Sequence, residues 1–481
     1  MRRIDGEKKY ATVKEISVCV QQGNTILFHP DTNREKIINA TALLIWQELN
    51  GRNTVAEIAT TLVERFASIS YDQVFRDVCE LMSELYEDKY IEVSRNADDS
   101  KTCEKYPDIS DRPGEFDISL TGKCNLHCDY CFYDQEMHSR PDLPKEEWFT
   151  FFDELGRLAV RNLTLSGGEI FVRSDLWELI DRLIENRMRY SILSNGTLVN
   201  EKTISLLEKK GRRRRLNSIQ ISIDGSRPEV HDKSRGAGSF ARAIRGLRLL
   251  KEADFPVTTR VTVNRHNVDD LDNIAALLLG DVGLSGFGTN DAMPMGAGCD
   301  NQASITLLPD QQVKAMKILT DLEKKYAGRI SATAGPQAKW KTYGEMERAR
   351  ATGEKTARWQ MGHLTACGCV FNKLAVHHDG VITPCNMLPT LEIGIVNRDS
   401  IKSIWKSHPT LQALKERRKI PMNKVSGCED CLWNPYCNGS CPGLALSMTG
   451  DFNHANPHDC YRRFLAATGL TSATVPWGKG Q

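Results

Sequence analysis

The sequence predicts an α/β chain built on a partial (β/α)6 TIM-like barrel, with a winged-helix-like α+β domain before it and a cysteine-rich domain after it. Three observations predict this. Strand-like runs alternate with helical ones through the middle of the chain, a compact pattern of its own precedes them, and the 15 cysteines among 481 residues are unevenly spread. Alternation of this length builds a parallel sheet, and about six such repeats curl into an open barrel.

Composition narrows the class. The apolar fraction of 40% is ordinary for a globular chain, and 63 basic against 62 acidic side chains leave a net charge of +1. No global field points to nucleic acid or to an acidic membrane face. The start, MRRIDGEKKY, lacks the apolar segment of a signal peptide, and aliphatic runs such as Ile274 to Leu279 are too short to span a bilayer. A cytoplasmic protein is therefore expected, with no nucleic-acid or membrane partner. The one basic run, Arg212 to Arg215, reads as a solvated helix end or loop. Cysteines in a reducing compartment are poor disulfide candidates and good metal ligands, and most of these lie between 124 and 131 or between 367 and 460. Cys19, Cys79, Cys103 and Cys299 are scattered and read as small buried hydrophobes.

Residues 1–95 form the first domain. Ile16 to Val20 and Thr25 to Phe28 read as a hairpin. Three helices follow, about Ala40 to Leu49, Thr54 to Phe66 and Tyr71 to Tyr86; Thr54 with Glu57 three residues on is a helix-start signal, and Ile91 and Val93 close the unit with a short strand. Such a bundle invites a DNA-binding reading, but Glu57, Glu64, Asp72, Asp77, Glu80 and Glu84 dominate its helices, and phosphate contacts need positive charge. Residues 96–114 are polar, broken by Pro107 and Pro113, and read as a linker.

The barrel is assigned to 115–310. Its strands are expected at Phe116 to Leu120, Asn162 to Leu165, Tyr190 to Leu193, Ser218 to Ile223, Val257 to Val263 and Gly286 to Asn290, with helices near Lys145 to Leu158 and Leu176 to Asn186. Function in such barrels sits at the C-terminal ends of the strands. The loop after the first strand carries Cys124, Cys128 and Cys131 at CxxxCxxC spacing. An iron–sulfur cube usually takes four thiolates, so a loop that offers three leaves one iron free to bind something else. The competing reading, a zinc knuckle, wants four closed ligands that this loop does not supply. The second strand is followed by Gly167, Gly168 and Glu169, the third by Ser194 to Thr197, and the fourth by Ser222 and Asp224 with His231, Asp232 and Arg235 downstream. Two glycines let backbone approach a ligand closely, and the neighbouring carboxylate can accept from an ammonium group.

Together these residues resemble the radical S-adenosylmethionine (SAM) superfamily over about 115 to 310. The resemblance implies that Cys124, Cys128 and Cys131 hold a 4Fe-4S cluster, with Tyr130 in the aromatic position before the third cysteine. It implies that Gly167, Gly168 and Glu169 bind the SAM amino group, and that Ser222 and Arg235 are candidates for its carboxylate and Asp224 for a nearby polar contact. The first domain, through its hairpin, Asn39 to Gly51 and Thr54 to Ile58, resembles the peptide-chaperone protein of pyrroloquinoline quinone biosynthesis. That resemblance implies a recognition element for ribosomally made, modified peptides, whose leader adds a strand to the sheet edge and lies against the third helix. A dimerisation or structural cap is the plainer alternative.

Past 310 the repeat fades into bridging helices, 311–365, and then 366–481 carry Cys367, Cys369, Cys385, Cys428, Cys431, Cys437, Cys441 and Cys460. The spacing resembles the SPASM extension of radical SAM enzymes. It implies two auxiliary 4Fe-4S clusters, one on Cys367, Cys369, Cys385 and Cys441 and one on Cys428, Cys431, Cys437 and Cys460, which makes three clusters in all. A zinc ribbon over Cys428 to Cys441 is the alternative by spacing alone. Asn386 stands where formylglycine-forming relatives have an aspartate base, and an amide cannot take a proton near neutral pH. His377 and His378 read as sheet-surface residues.

The expected function is that of a radical SAM maturase: a 5′-deoxyadenosyl radical takes hydrogen from a precursor peptide, and a thioether or carbon–carbon crosslink forms. The expected partners are that precursor with its leader and a reductant such as flavodoxin or ferredoxin. Single-residue modification (formylglycine formation, epimerisation, decarboxylation) and a non-catalytic iron–sulfur electron carrier are the alternatives.

Overall fold

The computed structural model describes residues 4–13, 15–21, 24–65, 70–94, 112–133 and 135–477. Most of the expected linker, with Cys103, lies outside them. The chain divides into two compact units: Met1–Gly114 with Phe152–Arg161 and Leu183–Arg189, and Glu115–Phe151 with Asn162–Arg182 and Tyr190–Gln481.

The first unit holds strands β1 (Lys9–Thr12), β2 (Ser17–Gln21), β3 (Asn24–His29), β4 (Arg34–Ile38), β5 (Asn50–Thr54) and β6 (Ile91–Val93), and helices α1 (Ala40–Glu48), α2 (Val55–Arg65) and α3 (Tyr71–Glu87). All three expected helices are present. Glu57 accepts from Thr54 N at 2.7 Å while Thr54 Oγ1 accepts from Glu57 N at 3.2 Å, so the sequence signal is a reciprocal cap. Asn39 and Ser70 cap α1 and α3. The strands are more numerous than the hairpin expected. β2, β3 and β4 form one antiparallel sheet, and β5, β1 and β6 a second. The missing three are short and polar (KYAT, REKII, NGRNT), so they offer no alternating apolar run to read. The core joins Trp46, Ile58, Leu62, Val78, Met82, Leu85 and Tyr90.

The second unit is organised by a ten-stranded sheet. Its strands are β7 (Glu115–Ser119), β8 (Asn162–Ser166), β9 (Arg189–Ser194), β10 (Leu216–Ser222), β11 (Val257–Val263), β12 (Phe287–Asp291), β13 (Ile330–Ala332), β14 (Lys373–Val376), β15 (Val381–Thr383) and β16 (Gly394–Ile395), in the order β13-β12-β11-β10-β9-β8-β7-β14-β15-β16. The six expected barrel strands are all there in sequence order. Two parallel neighbours were not foreseen. β13 extends the barrel beside β12 within the region assigned to bridging helices, and β14 pairs with β7 from the other side. At three and four residues they carry too little pattern to stand out. Only the β14–β15 and β15–β16 pairings are antiparallel, so β15 alone runs against the rest of the sheet.

Two surface expectations fail. Arg212 and Arg215 are buried, although the run was read as solvated. Arg212 Nε and Nη2 donate to Asp181 at 2.7 and 2.8 Å, and its guanidinium lies 5.1 Å from the Trp177 ring centre. A paired, planar cation can be buried where an unpaired one cannot. His377 and His378 are also buried, because they sit in the turn between β14 and β15 and not on an open sheet face. Of the scattered cysteines, Cys19 is buried and Cys79 partly so, as expected, but Cys299 is exposed.

Candidate active site

Strands β7, β8, β9 and β10 each end on a serine: Ser119, Ser166, Ser194 and Ser222. The loops that follow them meet at one end of the sheet. Leu120 N donates to Ser166 O at 2.8 Å, Gly168 N to Thr121 O at 2.8 Å, and Glu169 N to Lys123 O at 2.9 Å, so the glycine segment is laced to the base of the cysteine loop. This explains the two glycines. Gly167 has φ of 153°, and a Cβ on Gly168 would lie 2.6 Å from Lys123 C and 2.9 Å from Cys124 Cβ. Their first task is to let two backbones touch.

Within the loop Cys131 N donates to Cys128 O at 3.0 Å, and the three thiols lie within one another's electrostatic reach. Burial pushes Cys128 up to about 12 and raises Cys124. Thiols must lose their protons to bind metal, so loading releases protons. Segment Gly296–Asn301 supports the loop from β12: Ala297 N donates to Cys131 O at 3.0 Å and Asn301 Nδ2 to Asp129 O at 2.9 Å.

Glu169 is almost fully buried. Its carboxylate accepts from Phe171 N at 3.1 Å, Ser194 Oγ at 2.8 Å and Asn195 N at 2.7 Å. Burial raises its pKa, these donors pull it down, and the balance stays above the usual carboxylate value. Three donors leave acceptor capacity for one more, which fits an ammonium group.

Asp224 and Arg235, which the sequence sets eleven residues apart, face each other. Asp224 Oδ2 accepts from Tyr130 Oη and Arg235 Nε, its Oδ1 accepts from Thr262 N at 2.6 Å, and its own N–H donates to His231 Nδ1 at 3.0 Å. The Arg235 guanidinium lies 5.5 Å from the Tyr130 ring centre. Burial works against the Arg235 cation, and Asp224, Tyr130 and Cys128 together outweigh it, so its pKa is raised. Asp224 is thus spent on protein donors. The arginine stands close enough to depress Cys128 and Glu169 electrostatically. Ser222 ends β10 at the same mouth.

The C-terminal cysteines fall into two neighbourhoods. Cys367 and Cys369 share a hydrogen bond, as do Cys369 and Cys385, and Cys441 lies within electrostatic reach of Cys367. Separately, Cys428, Cys431, Cys437 and Cys460 are mutual neighbours, with Cys437 pushed by burial to about 12. Cys437 and Cys441, four residues apart, belong to different groups. Among the described residues no three Cys, His, Asp or Glu side chains converge tightly enough to hold a single ion.

His138, Asp142 and Lys339 escape the sequence reading, and Asn195 enters it only as part of the segment Ser194 to Thr197. His138 places Nδ1 2.6 Å from Gly122 O and Nε2 3.6 Å from Cys131 Sγ. Asp142 accepts from Thr121 Oγ1 and Gly122 N at 2.7 and 2.8 Å. Asn195 donates to Asn125 Oδ1 at 3.0 Å, tying the third strand end to the cysteine loop. Lys339 is buried between Asp291 and Asp459 at 3.2 and 3.1 Å, with His458 Nε2 2.8 Å from Asp291. None lies in a recognisable spacing, because each partner comes from a distant segment.

The family model of the Radical SAM superfamily matches residues 118–278, that of the iron–sulfur cluster-binding SPASM domain 367–432, and that of coenzyme PQQ synthesis protein D (PqqD) 24–91. The chain is a radical SAM enzyme of the SPASM subfamily. The enzyme is 27% identical over 355 residues to the AdoMet-dependent heme synthase of Methanosarcina barkeri, covering 71% of this chain and 95% of that one. It is also 27% identical over 345 residues to the PqqA peptide cyclase of Granulibacter bethesdensis, covering 70% and 84%. Its fold resembles Streptococcus suis SuiB bound to the precursor peptide SuiA, with a TM-score of 0.62 at 13% identity over 94% of this chain and 100% of that one. Among the described residues no helix is long and apolar enough to cross a membrane.

Proposed function

We propose that the enzyme matures a ribosomally synthesised precursor peptide by forming a thioether or carbon–carbon crosslink. The observation that carries this is the PqqD match at 24–91, joined in one chain to a radical SAM core and an iron–sulfur domain. Domains 1–95, 115–310 and 366–481 take the roles of leader holder, radical source and auxiliary-cluster carrier. The leader adds a strand to an antiparallel sheet edge of the first domain, which keeps the core peptide at high local concentration without tight contacts at the reacting carbon.

Cys124, Cys128 and Cys131 hold the first 4Fe-4S cluster, and three soft thiols on one loop fit that group. Cys367, Cys369, Cys385 and Cys441 hold one auxiliary cluster, and Cys428, Cys431, Cys437 and Cys460 the other, following the two neighbourhoods. When bound, the first cluster and SAM supply a 5′-deoxyadenosyl radical once a flavodoxin or ferredoxin donates an electron. Glu169 orients the SAM amino group with its remaining lone pairs, while Ser222 and the free face of Arg235 serve its carboxylate. Asp224 holds Arg235 in place.

A second reading is a radical change on a single side chain without a crosslink. Co-expression with a candidate precursor followed by mass spectrometry separates the two. Loss of two hydrogens with an added intramolecular link supports the crosslink, and any other mass change supports the second reading. An unmodified peptide beside active enzyme defeats the peptide assignment, and Cys124→Ala is the blank.

A further inference from the structure

We propose that His378 is a positioning residue that couples the auxiliary-cluster cysteines to the loop bearing Cys124, Cys128 and Cys131. The proposal rests on the cluster assignment above and starts from topology. The short helix Cys369–Asn372 runs directly into β14, and β15 ends two residues before Cys385. The β14–β15 hairpin is therefore bracketed by two ligands of one auxiliary cluster. β14 lies parallel beside β7, whose C-terminal end feeds the cysteine loop. The hairpin turn, His377 to Gly380, and the cysteine loop thus emerge at the same end of the sheet. On the β15 side, Val381 to Pro384 separate Gly380 from Cys385, a span of at most roughly 17 Å.

The turn is fastened to the segment that holds the first three cysteines. Leu143 N donates to His378 O at 2.6 Å, His378 Nε2 lies 3.3 Å from Arg140 O, and Arg140 pairs with Asp379 at 3.2 Å. A carbonyl can only accept, so Nε2 carries the proton. The imidazole occupies the space that a side chain at Gly122 would need: a Cβ there would sit 2.6 Å from Nε2. On the other side of Gly122, its carbonyl meets His138 Nδ1 at 2.6 Å, and His138 Nε2 reaches Cys131 Sγ at 3.6 Å. Tyr133 fills the corner, its ring centre 5.4 Å from that of His138 and 5.8 Å from that of His378. An unbroken run of contacts joins hairpin tip to cysteine: His378, Gly122, His138, Cys131. His378 is fully buried, so it cannot swing aside into solvent.

Two sites that share a rigid element bias each other reciprocally. Ordering Cys369 and Cys385 around a cluster fixes the hairpin, the hairpin tip fixes Gly122 and Arg140, and these set the path of the loop. SAM affinity at the first cluster then depends on the auxiliary site without any direct contact.

The test uses full-length, anaerobically reconstituted protein. His378→Ala, His378→Gln and a Cys369→Ala/Cys385→Ala double variant are compared by iron content, by electron paramagnetic resonance of the reduced protein with and without SAM, and by SAM binding in equilibrium dialysis. His378→Ala should keep its iron, bind SAM about tenfold more weakly, the worth of one buried hydrogen bond, and show an altered SAM-induced spectrum. His378→Gln, which can still donate to Arg140 O, should recover most of the loss. The double variant should lose auxiliary iron and show the same weakened SAM binding. Unchanged SAM binding and spectra in His378→Ala overturn the coupling. Full iron in the double variant overturns the cluster assignment instead, and the coupling with it. Should His378→Ala fail to hold iron, Gly122→Ala carries the test, since it displaces the same imidazole from the opposite side, and wild-type SAM binding there overturns the proposal.

Discussion

Gly168→Ala is the sharpest probe of the mouth. The new methyl carbon would collide with Lys123 O and lie 2.6 Å from Lys123 C and 2.9 Å from Cys124 Cβ. The obstacle is backbone, not the end of a flexible side chain, so the cysteine loop must retreat. Inserting one methylene into a packed site costs about 1–3 kcal/mol. Retreat also strains the bonds Gly168 N to Thr121 O and Glu169 N to Lys123 O, 2.8 and 2.9 Å long, each worth about 1 kcal/mol. Since about 1.4 kcal/mol is tenfold, the variant should bind SAM roughly 10- to 100-fold more weakly. The assay is SAM titration of reconstituted protein, with iron content and melting temperature measured on the same samples. Gly280→Ala is the control, because nothing lies within 4 Å of a Cβ there. If Gly168→Ala binds SAM and iron as the parent does, the glycines do not serve close approach and the reasoning fails.

Glu169→Gln sets an amide against three donors, leaving at least one of Phe171 N, Ser194 Oγ and Asn195 N facing another donor; SAM binding should fall by at least tenfold in dialysis. Lys339→Met should lower the unfolding free energy by about 3–5 kcal/mol in denaturant titration, because it strands Asp291 and Asp459. His231 is held by burial, and then by the Arg235 charge, down to about 4 from 6.5. A depressed histidine contributes stability that is present above its unfolded pKa and lost as pH falls toward its folded one. Stability should therefore drop between pH 6.5 and about 4 by about 3 kcal/mol from this group. His231→Asn, which can still accept from Asp224 N, should flatten that part of the pH–melting curve.

The parts legible in the sequence are those whose signal is local. Val257 to Val263 is β-branched at every position but Arg260, and its strand has the bounds that pattern predicts, while Thr54 with Glu57 announces the cap of α2. The cysteines declared themselves by crowding. What stayed hidden depends on partners far away in the chain. Arg212 looks like part of a solvated run until Asp181 and Trp177 arrive beside it. His377 and His378 look like surface residues until β14 pairs with β7 and carries the turn into the cysteine loop. Strands of three or four residues, such as β1 and β13, form because a neighbour's edge is waiting, and their own residues say little.

The same distinction bears on how the mouth works. Most of its polar groups are already partnered within the protein. Asp224 is spent on Tyr130, Arg235 and Thr262, Glu169 on three donors, and Asn195 Oδ1 accepts from Thr197 N and Oγ1 at 2.9 and 2.7 Å while its amide reaches Asn125. Side chains fixed in this way lose little further freedom when a ligand arrives, so more of the contact energy is available for binding and orientation. A mouth of free, solvated carboxylates would have to be ordered at every turnover. The strand ends β7 to β10 therefore supply a frame that is set before SAM or peptide enters, and this is why single contacts such as His138 with Cys131, or Gly168 with Lys123, are worth perturbing one at a time.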